Sequence, residues 1–278
     1  EDRNNHAPYK LDKDGGYLTI HRDGELVDSI TFGALAANIS YGIKGGVAGY
    51  MEPSPYEENS AAYPTISTRC KMPVLSVKGG VKLEPEIVSI SCSTKNAKIY
   101  YTLNGEEPTL ENATLYESPL EISENTSLRV KAFADGMLSS KVVSTTYIFP
   151  DEAHSECGGF TVPIVSLVVD SAYFYDDTIG ICVVGTNGIS GDKHCQAVGN
   201  YNRDWKRPVS FEYIVDGKSV FSQDVEAAVE GGCSRVEEVK SLSLKASSKS
   251  GADELDYKFF ASKPDFLYQT LHLRNGGT

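Results

Sequence analysis

The chain is poor in methionine and tryptophan, with Met 3 and Trp 1 in 278 residues. No stretch carries apolar residues at the 3.6-residue period for more than about three helical turns. Long amphipathic helices need Leu, Met, Glu and Lys in that pattern, so a helical bundle is excluded. Long apolar runs are also missing. The best, residues 162–169, contains Pro163 and Ser166 and falls well short of the roughly 20 residues of a membrane-spanning helix. Positive charge is scarce: Lys+Arg 26 against Asp+Glu 38 leaves a net charge of −12. Proteins that bind through phosphates need clustered Lys and Arg, so neither nucleic acid nor an anionic membrane is an expected partner. The opening residues lack the charged-then-apolar architecture of a secretion signal and read as a mature or trimmed end. None of the 6 cysteines forms a C-x-x-C pair, which removes the usual zinc and thioredoxin spacings.

What the chain does have is Tyr 16, Gly 25 and Pro 12, on an ordinary background of 40% hydrophobic and 23% charged residues. That composition favours many short strands joined by turns, and the expected fold class is mainly β. Residues 1–60 are punctuated by turn signals. Asp23-Gly24 supplies the positive φ of a tight hairpin, and Leu26, Asp28 and Ile30 alternate with Val27, Ser29 and Thr31 across the strand that follows. A Gly-rich hairpin at 44–50 precedes a proline-rich stretch, and residues 61–72 read as a linker. Residues 73–150 show several alternating runs, with Asn104-Gly105 and Asp135-Gly136 both suiting type I′ turns. That pattern predicts an immunoglobulin-like or fibronectin-III-like β-sandwich. Residues 151–278 contain a buried-strand pattern at 162–169 and a short helix candidate capped by Asp170. A long loop at 185–208 and strands near 209–215, 218–230, 241–246 and 271–274 follow, giving some α+β character.

Three stretches carry family resemblances. Ile99-Tyr-Tyr-Thr-Leu-Asn-Gly-Glu-Glu-Pro-Thr109, Leu115-Tyr-Glu-Ser-Pro119, Val130-Lys-Ala132 and Ser144-Thr-Thr-Tyr147 resemble the chitobiase/β-hexosaminidase C-terminal type of domain, also called fibronectin-III-associated. The resemblance implies a spacer or accessory fold, with Tyr100 and Tyr101 on opposite strand faces. Lys10 to Leu18, Gly24 to Asp28, Ser40-Tyr-Gly42 and Tyr50 to Pro55 resemble the back half of a lamin-tail-type domain, without its earlier strands. Val162 to Leu167, Arg207 to Tyr213, Gly231-Gly-Cys-Ser-Arg235, Lys240 to Leu244 and Leu271 to Gly276 resemble the N-terminal part of the spore-coat-protein-H (CotH) kinase family. By that resemblance Arg235, Lys240 and Lys245 are the candidate nucleotide-phosphate contacts, with ATP and Mg²⁺ as cofactors of a complete parent. Phosphoryl transfer also needs metal-holding carboxylates and a base. In the family these lie downstream of the R-N-G segment, near which this chain stops. A chain cut at both ends is the expectation, with no cofactor, catalytic residue or metal ligand of its own.

Other sites weigh less. Gly185 to Gly191 lacks the Lys-Ser/Thr ending of a phosphate loop. Asp12/Asp14, Asp176/Asp177 and Asp253/Asp256 lack calcium-loop spacing and read as turn or surface charges. The Asp192, His194 and Cys195 cluster has no evident oxyanion partner. Cys92 reads as a buried thiol in a strand. Cys182 and Cys195 flank a Gly-rich loop that a disulfide between them would close, and spacing alone leaves that pairing open. Gly231 to Arg235 is either a nucleotide-contact segment or a glycine bulge with Arg235 in an ion pair. The expected function is a non-catalytic scaffold or binding portion of an exported or cell-surface multimodular bacterial protein, with an unknown protein or glycan partner. The alternatives are a CotH-type kinase whose catalytic half is absent from this chain, and a carbohydrate-binding accessory module.

Overall fold

The computed structural model describes residues 10–12, 14–35, 39–53, 58–59, 62–63, 69–151, 162–247 and 251–276. It is mainly β, as the composition requires. The chain forms two compact units, Glu1–Cys70 with Ala134–Ser139, and Lys71–Phe133 with Ser140–Thr278.

The first unit contains two hairpins. Strands β1 (Gly16–Arg22) and β2 (Glu25–Phe32) pair across Asp23 and Gly24, both at positive φ, so the predicted tight turn is present. Strands β3 (Ser40–Lys44) and β4 (Val47–Met51) pair across Gly45 and Gly46, which take the same conformation. Met51 is fully buried and Phe32 nearly so. Arg69 grips the Glu52 carboxylate with both terminal nitrogens, at 2.9 and 3.1 Å, and also donates to the Ser139 carbonyl. Half of the linker expected at 61–72 falls outside the described residues.

In the second unit β5 (Val74–Leu75) pairs with β8 (Ile90–Ser91), and β7 (Glu86–Val88) with β11 (Leu120–Ile122). They cover a core of Val88, Ile90, Ile122, Leu128, Val130 and Tyr147. A longer ladder runs in the order β10 (Thr114–Leu115), β9 (Lys98–Thr102), β12 (Thr126–Phe133), β13 (Val143–Ile148), β6 (Gly80–Val81), β18 (Lys218–Glu230), β17 (Arg207–Val215) and β14 (Ile164–Val168). Strand β19 (Ser241–Lys245) adds to β18, and β20 (Thr270–Leu273) adds to β19. On β12 the alternation sends Leu128, Val130 and Ala132 inward. Tyr101 packs on the same core, while Tyr100 stacks edge-on against Phe133 at 5.5 Å, so the two tyrosines do face opposite ways. A second apolar cluster gathers Val209 and Phe211 of β17, Val225, Ala227 and Val229 of β18, and Leu242 and Leu244 of β19.

Strand β6 joins the two halves of this ladder: Gly80 sits beside Tyr147 on one side and Lys218 on the other. Gly80 has φ +110, and a Cβ there would meet the Gly217 carbonyl at 2.4 Å, so only glycine fits. Strand β17 is covered on both faces. Val209, Phe211 and Tyr213 enter the second cluster, whereas Ser210, Glu212 and Ile214 are buried on the other face. Glu212 accepts from the Thr145 hydroxyl at 2.9 Å, the Thr146 N–H at 2.8 Å and the Ser219 hydroxyl at 2.5 Å, and Thr146 shares a hydrogen bond with Ser166. The halves are thus joined by a ladder and a satisfied polar seam, with their apolar clusters on either side.

Two turns differ from expectation. Neither Asn104 nor Asp135 has the positive φ that a type I′ turn demands at its first central position; only Gly105 and Gly136 do. Asn104 instead folds its side chain onto the Glu106 N–H and opens a long connection to β10, while Met137 N–H bonds to Ala134 O around Gly136 as in a type II turn. The type I′ geometry appears at Asp216-Gly217, between β17 and β18. Helix α1 (Ser171–Tyr175) is capped as predicted, with Asp170 Oδ1 accepting from Ala172 N–H at 2.9 Å. Strand β8 ends at Ser91, so Cys92 lies just beyond it, partly exposed, with Sγ donating to the Lys71 carbonyl.

Candidate functional site

The segment between β18 and β19 begins with two glycines. Gly231 has φ +109, which redirects the chain out of β18 into a single 3-10 turn, Cys233–Val236. This turn replaces the expected glycine bulge. It presents Cys233 to Cys195 with a Cα separation of 5.2 Å, and the two form the disulfide. The Cys182–Cys195 pairing is therefore corrected. Cys182 is a thiol packed at the edge of the second apolar cluster, and its burial pushes its pKa up to about 11, opposed by the nearby Lys240 charge. Cys195 holds no thiolate, so the Asp192–His194–Cys195 cluster has no nucleophile. Asp192 instead accepts the N–H groups of His194 and Cys195, which shapes the loop.

Arg235 makes carbonyl hydrogen bonds in place of the expected ion pair. Its Nε donates to Gly231 O at 2.6 Å and its Nη1 to Tyr201 O at 3.0 Å. Lys240 Nζ lies 4.7 Å from the centre of the buried Tyr201 ring and donates to the Glu237 carbonyl. Partial burial lowers its pKa, opposed by Cys182 and Glu237. Arg235 and Lys240 therefore meet at Tyr201, a residue that sequence patterns did not single out because it sits in a 3-10 turn, Asn200–Asn202, with no periodic signal. Lys245 stands apart. It is exposed at the far end of β19, beside Glu226 and Thr270 on the neighbouring strands. Five residues of extended chain place it about 16 Å from Lys240.

A solvent-open cleft of about 340 Å³ adjoins the disulfide. Asp192, Cys195, Asn202, Asp204, Gly232 and Arg235 are among the residues that line it. Strands β15 (Ile189–Ser190) and β16 (Val198–Gly199) form a small hairpin beside it, held by Asn202 Nδ2 donating to the Ile189 and Ala197 carbonyls. The long loop expected at 185–208 is thus partly structured. Gly185 packs against the buried Asn200 side chain. Asp176 caps its own turn through Thr178 and Ile179, which lowers its pKa. Among the described residues no group of three or more His, Cys, Asp or Glu is placed to hold a metal ion. No described helix is long and apolar enough to cross a membrane.

Beyond the cleft, strand β12 carries a buried cation. Arg129 donates through Nη1 to Gly105 O, and its Nε has no partner. Its charge also reaches Asp224 of β18, which accepts from the Ser210 hydroxyl at 2.7 Å and whose pKa is raised by burial.

Residues 77–145 match the family described as the chitobiase/beta-hexosaminidase C-terminal domain, about a quarter of the chain. This is the stretch whose Ile99-to-Thr109 segment carries the same resemblance. No curated protein and no solved structure matches the chain.

Proposed function

We propose that this chain is a non-catalytic scaffold and binding region of an exported, cell-surface multimodular bacterial protein. The observation that carries this reading is the way the chitobiase-like module continues into the next segment. Its β13 reaches β18 through β6, and its Thr145 and Thr146 close on Glu212. A module built into its neighbour by a ladder and a buried carboxylate acts as a rigid platform for that neighbour. The Cys195–Cys233 disulfide suits an oxidising, extracytoplasmic setting. The candidate phosphate contacts are engaged internally at Arg235 and Lys240, and Lys245 lies apart from them.

Titration calorimetry with Mg·ATP tests the reading. No saturable heat is expected from this chain; a saturable signal lost on Lys240→Ala would restore the CotH-type nucleotide site. A glycan array is the second arm. Selective binding there would make the chain a carbohydrate-binding accessory module. Protein taken from its native culture medium should show the Cys195–Cys233 linkage by non-reducing peptide mapping, and its confinement to the cytoplasm in reduced form would sink the exported assignment.

A further inference from the structure

The groups around the disulfide-side cleft are mismatched in a way that specifies a ligand. Two carboxylates, Asp192 and Asp204, face it with one guanidinium, Arg235. Arg235 is anchored through Nε and Nη1 to carbonyls of its own chain, which leaves Nη2 as a donor held in place before any ligand arrives. Asp192 uses Oδ1 on two backbone N–H groups and keeps Oδ2. Asp204 is exposed and makes no hydrogen bond or ion pair within the described chain. Asn202 spends its amide nitrogen on two carbonyls and keeps Oδ1 as an acceptor. At Gly232 an added Cβ would meet nothing within 4 Å, so the wall there is open backbone.

The cleft therefore offers one positive donor and several acceptors, two of them charged. A phosphate-bearing ligand would face two carboxylates, and a neutral sugar would leave all the charges unmatched, with no aromatic ring among the lining residues to stack on. A ligand with one carboxylate and two separated cations complements the set. We propose that this cleft binds a free basic α-amino acid: its carboxylate on Arg235 Nη2, and its α-ammonium and side-chain cation on Asp192 and Asp204. A volume of about 340 Å³ is at the small end of ligand sites and suits one such residue. The disulfide forms part of the wall and ties the loop of Asp192 to the turn of Arg235, so the complementary charges stay in register only while Cys195 and Cys233 are joined. This site stands apart from the scaffold reading, since an ATP titration and an amino-acid titration report on different groups.

The test is calorimetry on the whole oxidised chain with L-lysine as the probe. L-norleucine, which lacks the side-chain cation, and cadaverine, which lacks the carboxylate, should each bind about tenfold more weakly or worse. Asp204→Asn changes an exposed group with no bonds in the chain, so it should keep the thermal midpoint while weakening lysine about tenfold. Reduction with dithiothreitol should weaken lysine as well. Gly-Gly-Lys, whose lysine α-nitrogen is an uncharged amide, should also bind about tenfold more weakly than lysine, and equal affinity would count against the pairing of both carboxylates with cations. Absence of saturable heat with lysine, equal affinity for norleucine, or an Asp204→Asn variant that binds like the parent would overturn it.

Discussion

The two units use the same local vocabulary to different ends. In the first, β1 and β2 turn tightly at Asp23-Gly24, yet Tyr17 is 77% exposed and Ile20 and Leu26 are more than half exposed. In the second, Leu128, Val130 and Leu244 are fully buried, because each lies on a strand flanked on both sides and covered on one face. A hairpin needs only turn chemistry and alternation; a core needs several strands whose faces meet. The second unit goes further and places a charge between its two apolar clusters, satisfied on every side by hydroxyls and a backbone amide.

The largest effect is expected from removing the covalent tie in the second unit. Cys195→Ser with Cys233→Ser frees a loop of 38 residues, which should cost about 3–4 kcal/mol by the chain-entropy estimate. Chemical denaturation read by Trp205, the chain's only tryptophan, checks it. Core truncation comes next. Leu128→Ala should cost about 3 kcal/mol, whereas Ile20→Ala on the exposed hairpin should stay within about 0.5 kcal/mol. Trp205 packs against the second cluster and Leu128 lies in the first. A shift of the Trp205 midpoint by Leu128→Ala would therefore show that the two clusters unfold together. Glu212→Gln should cost about 2 kcal/mol, since one carboxylate acceptor becomes a donor facing the Thr146 N–H. If far-UV dichroism and Trp205 fluorescence remain coincident in that variant, the seam is not what couples the halves.

Smaller effects follow from the shifted groups. Burial raises the Asp224 pKa. Between the ordinary carboxylate value and that raised value the native state holds a proton that the unfolded chain has released, so stability falls as pH rises through the window. Asp224→Asn should flatten that part of the pH–stability curve by less than any effect above. Cys182, with its pKa pushed up to about 11, should react with iodoacetamide at pH 8 at least about tenfold more slowly than in the unfolded chain. Equal rates would place it in solvent.

Much of the fold was legible locally. The Asp23-Gly24 hairpin, the Asp170 cap, the strands near 209–215 and 218–230 and the chitobiase-type segment all follow from residues within a few positions of one another, where φ preferences and side-chain alternation act directly. The misreadings came where a neighbour distant in sequence intervened. Asn104-Gly105 has hairpin chemistry, but Asn104 bridges to Ser127 and the chain leaves the strand edge instead of doubling back. Cys182 was the partner that loop spacing offered Cys195, and the turn begun by Gly231 delivered Cys233 instead. Lys245 shares a strand with Lys240's neighbours, but strand geometry holds it at the opposite end. Glu212 reads as one charged residue in an apolar strand until Thr145 and Thr146 are brought against it. Backbone turns and alternation are short-range and thus written along the chain. Disulfide choice, the buried seam and the charge set of the cleft depend on which distant segments meet, and only burial and cross-strand register settled that.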